Sequence, residues 1–112
     1  MQDDNKTQIF ELQAYFCRSL ADPKRLMMIH ELREGEKSVG ELSQILGLKQ
    51  SNTSQHIAVL RKAGILFPRK AGNVTYYSLV NPHIAEACDL VREVISSQLE
   101  RSGVLAKELR SI

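Results

Sequence analysis

No run of apolar residues in this sequence approaches the ~20 needed to span a bilayer, so a membrane-crossing helix is excluded. The first residues, Met1-Gln2-Asp3-Asp4-Asn5, are acidic and polar. They lack the basic region and apolar stretch of a secretory signal. Cysteine occurs only at Cys17 and Cys88, too few for a disulfide framework. A cytoplasmic protein with reduced thiols is the expectation. Tryptophan is absent, and aromatic residues make up 5% of the chain. There is no internal repeat and no low-complexity linker, so residues 1–112 are read as one domain. No P-loop, GxGxxG, Ser/His/Asp order or paired-carboxylate spacing is present, and an enzyme is not expected. No cofactor is implied.

One absence is confined to the middle of the chain. Between Glu41 and Glu86 there is no Asp or Glu, while Lys49, Arg61, Lys62, Arg69 and Lys70 give this stretch a charge of +5. The flanks are mildly acidic, so the net charge is only +2. Charge segregated in this way points to a polyanionic partner for the central segment. By itself it also fits a solvated basic surface.

What is present reads mainly as helix. Ile9, Leu12, Phe16 and Leu20 recur at helical spacing and predict a first helix over about 7–20. Asp22-Pro23 provides an N-cap and a first helical Pro for a second helix. That helix should turn Leu26, Ile29 and Leu32 inward and stop at Gly35. Ser38-Val39-Gly40-Glu41 has the spacing of a capping box. It should open a third helix with Leu42, Ile45 and Leu46 inward and Gly47 at its end. A fourth helix is predicted over about 50–63, with Thr53, Ile57 and Leu60 inward and Gly64 closing it.

The period then changes. Residues 65–70 and 74–79 read as strands joined by a turn at Ala71-Gly72-Asn73. Pro68 makes the first of them an edge strand or a bulged one. Asn81-Pro82 should cap and start a last helix carrying Ile84, Cys88, Val91, Ile95 and Leu99. Ser102-Gly103 should break or kink it before a tail with Leu105 and Leu109.

Two helices joined by Gly47-Leu48-Lys49 make a helix-turn-helix over about 39–63, and the hairpin over about 65–79 makes a wing. The predicted fold is mainly α with a small β-hairpin. The outward positions of the fourth helix are Gln50, Ser51, Asn52, Ser54, Gln55, Arg61 and Lys62. Amide side chains can pair bidentately with adenine in the major groove, and hydroxyls can bond to bases or phosphates. Arg69, Lys70 and Asn73 of the wing are candidates for backbone or minor-groove contact. The turn, the acid-free stretch and the hairpin together predict double-stranded DNA as the partner.

At these residues the chain resembles the ArsR/SmtB-type winged helix-turn-helix repressors. The similarity lies in Leu20-Ala21-Asp22-Pro23-Lys24-Arg25-Leu26, in Val39-Gly40-Glu41-Leu42, and in the run from Gln50 to Ile65. Gly72-Asn73-Val74-Thr75-Tyr76-Tyr77-Ser78-Leu79 matches the wing. The resemblance spans about residues 10–95. It implies a homodimer built through the first and last helices, an inverted-repeat operator, and a repressor released by an inducer. Lys49 departs from the Ser often found at that cap, which either weakens the helix start or adds a phosphate contact. Under the family pattern His56 is either a phosphate contact or a packing residue.

The inducer is less legible. Thiophilic-metal sensors of the family carry Cys-x-Cys in the third helix, where this chain has Glu41-Leu42-Ser43-Gln44-Ile45-Leu46. Zinc-type sensors carry Asp and His along the last helix. Here that helix has Glu86, Asp89, Glu93 and Glu100 with only His83, so no metal site is assembled. Cys17 and Cys88 remain. They are either a dithiol sensor of oxidants or reactive sulfur, or small buried hydrophobes. His30 reads as a packing residue, His83 as solvent-facing, and Met27 and Met28 as core or near-core filler. Two alternatives stand beside the repressor: a winged-helix protein-interaction module without DNA, and a metal- or metalloid-responsive repressor with a non-standard site.

Overall fold

The computed structural model describes residues 2–101. The expected break at Ser102-Gly103, and the tail with Leu105 and Leu109, lie outside them. The elements are α1 (Gln2–Leu20), α2 (Pro23–Leu32), β1 (Lys37–Ser38), α3 (Val39–Leu46), α4 (Gln50–Lys62), β2 (Leu66–Ala71), β3 (Val74–Leu79) and α5 (His83–Glu100). They fall into two compact units that divide between Asn81 and Pro82.

Local chemistry sets the boundaries in the first unit. Asp22 caps α2, its carboxylate accepting from the backbone N–H groups of Lys24 (2.8 Å) and Arg25 (3.2 Å). Ser38 and Glu41 form the reciprocal capping box, with Ser38 N–H donating to Glu41 (2.9 Å) and Glu41 N–H donating to Ser38 Oγ (3.1 Å). Gly47 ends α3 in the left-handed region at φ 66°, a backbone conformation that strains residues with a side chain even though the space around it is open. α2 ends at Leu32, short of Gly35, through a turn closed by Gly35 N–H on the Leu32 carbonyl.

The core joins α2, α3, α4 and the start of β2. Met28, Ile29, Leu32, Leu42, Leu60, Ile65 and Leu66 are buried, together with Ile57. Burial of each such side chain contributes roughly 1.5–3 kcal/mol. Two expected inward positions are exposed instead. Leu26 and Ile45 face solvent, and Met28 and Ser43 take the buried places on their helices. On each helix the rest of the stripe stays buried, Ile29 and Leu32 on α2 and Leu42 on α3, so Leu26 and Ile45 lie at the uncovered edge of the buried face. Met27 is likewise exposed.

The sheet is antiparallel in the order β1-β3-β2. Leu66 pairs with Leu79 and Ala71 with Val74, leaving Gly72-Asn73 as a two-residue hairpin turn. β2 is therefore an edge strand, which accommodates Pro68. β1 adds Lys37 and Ser38 opposite Tyr77 and Tyr76. A strand of two residues has no pattern to read, and none was expected there.

α1 begins at Gln2 rather than near Thr7. Its polar first turns lack the apolar period used to place it, but Asp4 sits favourably at the positive helix end. Its apolar stripe is only half inward. Phe16 and Leu20 are partly buried, whereas Ile9 is 63% and Leu12 67% exposed.

In the second unit α5 starts at His83, with Pro82 rather than Asn81 at the cap position. Pro82 accepts from the N–H groups of Ala85 and Glu86, so the turn forms without a side-chain cap. Ile84 and Ala85 are buried, and Cys88 and Leu99 are partly so. Val91 and Ile95, expected inward, are exposed with Leu90 and Val94.

Candidate nucleic-acid interface

The helix-turn-helix is α3 and α4. Its joint is a buried pair of hydroxyls: Ser43 Oγ donates to Thr53 Oγ1 at 2.8 Å, and Thr53 Oγ1 donates to the Lys49 carbonyl at 3.3 Å. Thr53, Ile57 and Leu60 form the buried stripe of α4, as their spacing predicts. The remaining face is set by that choice. Ser51, Asn52, Ser54, Gln55, Arg61 and Lys62 are exposed. Gln50 is exposed too, but its amide nitrogen lies beside Gly40, 3.6 Å from where a β-carbon there would stand.

The start of α4 is chemically open. Lys49 holds the cap position in extended backbone and provides no side-chain cap. Its carbonyl accepts from Asn52 and Thr53, while the first N–H groups of α4 point along the positive end of the dipole. An anion is the natural partner for such an end.

His56 is half-buried rather than fully exposed, and it bonds across elements. Arg25 Nη1 lies 3.1 Å from His56 Nδ1. A guanidinium can only donate, so Nδ1 accepts and the neutral ring carries its proton on Nε2. Arg25 Nε also donates to the Ser19 carbonyl at 2.7 Å. One side chain thus ties the end of α1 and the start of α2 to α4. Of the two roles expected for His56, this geometry describes packing.

The wing presents Arg69, Lys70 and Asn73, all exposed. They are not equivalent. Arg69 Nε lies 3.0 and 2.9 Å from the two Glu36 oxygens, and Nη2 lies 2.5 Å from Oε1. Its guanidinium also sits over the Tyr76 ring, 5.0 Å from the centroid. The paired Arg69 holds the Glu36 carboxyl below its usual range, and Glu36 in turn raises Arg69. The stretch without acids in sequence therefore meets an acid in space. Glu36 and Tyr76 were missed in the sequence because their partner is distant or on the opposite strand. Lys70 has no ion pair among the described residues.

Asp22 lies beside the Arg25–His56 contact. Partial desolvation opposes its ionisation, but the Arg25 and Lys24 N–H groups and the positive charge of Arg25 outweigh it, and its carboxyl is held low. Cys17 is exposed on α1, against the reading of a small buried hydrophobe, because the α1 face that carries it is uncovered in this chain. Cys88 is partly buried. Among the described residues no three His, Cys, Asp or Glu side chains are grouped to hold a metal ion. His83 is exposed and bonds Glu86 at 2.9 Å. His30 is half-buried, and its Nδ1 is enclosed without a hydrogen-bond partner. No described helix is long and apolar enough to cross a membrane.

A helix-turn-helix followed by a hairpin wing, with a polar and cationic outer face on its second helix, defines a winged helix-turn-helix transcriptional regulator. A profile of the bacterial regulatory proteins of the arsR family matches residues 22–66. The uncharacterised HTH-type transcriptional regulator Rv0081 of Mycobacterium tuberculosis is 38% identical over 104 residues, which are 92% of this chain and 91% of that protein. Its crystal structure superposes with a TM-score of 0.76, covering 86% of this chain and 97% of that one. The biofilm growth-associated repressor of Xylella fastidiosa is 35% identical over 76% of this chain and 75% of that protein. The solution structure of the homodimeric winged helix-turn-helix DNA-binding domain Mb0332 from Mycobacterium bovis is 26% identical. It superposes with a TM-score of 0.79 over 88% of this chain and 91% of that one. The chain belongs to the arsR family of bacterial regulatory proteins.

Proposed function

We propose that this regulator binds duplex DNA as a homodimer and represses transcription from an inverted-repeat operator. The observation that carries the reading is the outer face of α4: amides and hydroxyls at its open N-terminal half, two cations at its C-terminal half, and no carboxylate on the helix. Ser51, Asn52, Ser54 and Gln55 are assigned to base edges and adjoining phosphates. Lys49, Gln50 and the first N–H groups of α4 are assigned to a phosphate. Arg61, Lys62, Lys70 and Asn73 are assigned to the backbone. Arg69 reaches DNA only by sharing or leaving Glu36.

Dimerisation is supported by the exposed apolar side chains Ile9, Phe10, Leu12 and Tyr15 on α1 and Leu90, Val91, Val94 and Ile95 on α5. Faces of this kind are rarely left bare on a monomer. Two recognition helices in a two-fold dimer sit about 34–36 Å apart on successive major grooves, which is the geometry of an inverted repeat. The relation to the Xylella repressor and to the homodimeric Mycobacterium bovis domain supports the same reading.

Release by an inducer is part of the proposal. Cys17, exposed on α1, is open to oxidants or reactive sulfur; Cys88 is the second thiol. The DNA reading is tested by fluorescence anisotropy with Gln55→Ala and Lys70→Ala. Gln55→Ala should reduce discrimination between specific and random duplex, and Lys70→Ala should weaken both alike. Equal effects of the two variants on both duplexes would overturn the assignment of roles. Repeating the titration with reduced and with oxidised protein tests the thiols. Unchanged affinity removes them from the mechanism.

A further inference from the structure

An open groove of about 380 Å³ runs along α4 between the start of α3 and the central strand of the wing. Val39, Ile57 and Tyr77 give it apolar walls, and Ala58 leaves it open where a larger side chain would fill it. Tyr77 is held rigidly, since its strand is paired on both sides, with Lys37 and with Pro68. Arg61 and Lys62 line one end, and the Ser54 hydroxyl lines the groove two turns earlier on the same helix. Neither Arg61 nor Lys62 has an ion pair among the described residues. The volume lies at the small end of the range for small-molecule sites, roughly 300–1,000 Å³.

We propose that this groove binds a small organic carboxylate with an apolar body, and that its occupancy competes with DNA. The chemistry is complementary in parts. A ring or short alkyl body fits against Tyr77, Val39 and Ile57, while the carboxylate meets the guanidinium of Arg61, which offers paired donors. Attraction at this end comes from the side chains alone, because the C-terminus of α4 carries the negative end of the helix dipole. Arg61 and Lys62 are also the cations assigned to the DNA backbone. A ligand that engages them takes them away from phosphate, so binding at the groove and binding of DNA oppose each other. The competition rests on the DNA reading above; the site itself does not.

Phenylacetate is the probe, with phenylacetamide and acetate as controls at constant ionic strength. Amide chemical shifts of the labelled full chain are followed during titration. Saturable shifts at Val39, Ala58 and Tyr77 are expected with phenylacetate, and much weaker ones with either control. Ala58→Leu should abolish the response by filling the groove. This position is exposed and helical, and Leu is a good helix former, so the fold and both cations are retained. Phenylacetate should also displace duplex from the wild type but not from Ala58→Leu. Shifts that do not saturate, that acetate reproduces, or that survive Ala58→Leu would overturn the proposal. If the groove responds as expected but the protein binds no duplex, the binding site stands and the competition falls with the DNA reading. If duplex binds and the groove stays silent, the site falls alone.

Discussion

Replacing Thr53 by Val tests how the helix-turn-helix is held. Thr53 is fully buried, and Val fills nearly the same volume, so no cavity opens. What changes is hydrogen bonding. Ser43 loses its 2.8 Å acceptor, while the Lys49 carbonyl keeps the N–H groups of Asn52 and residue 53. One buried hydroxyl is orphaned, at a cost of about 1–3 kcal/mol. The low end applies if Ser43 turns its hydroxyl back to the carbonyl one turn earlier in α3. The melting temperature should fall by about 4–8 °C for each kcal/mol in a domain of this size. The double variant Ser43→Ala/Thr53→Val has no hydroxyl left to orphan. It should therefore be more stable than Thr53→Val alone, although it carries one substitution more. Urea unfolding at one fixed protein concentration measures this, because association contributes to apparent stability. If the two substitutions simply add, making the double variant the less stable, the hydroxyl pair does not join α3 to α4 as described.

Other outcomes follow from the same structure. The carboxyls of Asp22 and Glu36 are held low in the fold, so their stabilisation is present above the unfolded carboxylate range and fades as pH falls through the folded values. Asp22→Asn should flatten the acid limb of a stability-against-pH curve; an unchanged limb would contradict the assignment. Glu36→Gln should release Arg69 and strengthen binding to all duplexes alike, more at low salt than at high. An unchanged or weaker affinity would mean Arg69 needs Glu36 to be placed. Leu12→Glu puts a charge on an exposed apolar face of α1. It should shift sedimentation from dimer to monomer with helicity retained, and a persistent dimer would place the interface elsewhere.

The parts legible in the sequence are those whose determinants are local. The α4 stripe of Thr53, Ile57 and Leu60 is covered by neighbours on its own apolar side, so periodicity and burial agree. The capping box at Ser38 and Glu41 and the Gly72-Asn73 turn depend on a few adjacent residues. Periodicity failed where coverage is decided at a distance. Ile45 has the right spacing but stays about half exposed (48%), and Ile9 and Leu12 lie on an apolar stripe that the described residues leave exposed. The site followed the same division. The outer face of α4 was readable because it is what remains once the buried stripe is chosen. The Arg25–His56 and Glu36–Arg69 contacts join residues 31 and 33 positions apart, and no local pattern announces them. They change the meaning of two residues: His56 becomes a tie between helices, and Arg69 becomes a partly neutralised cation.

The most direct test of the account is an anisotropy titration of the full-length protein with the duplex upstream of its own gene, against a scrambled duplex, over a range of salt. The account predicts selective, tight binding whose affinity falls about tenfold or more for each fewfold rise in salt. Weak binding that ignores both sequence and salt would contradict it and leave the winged helix as a surface for protein partners.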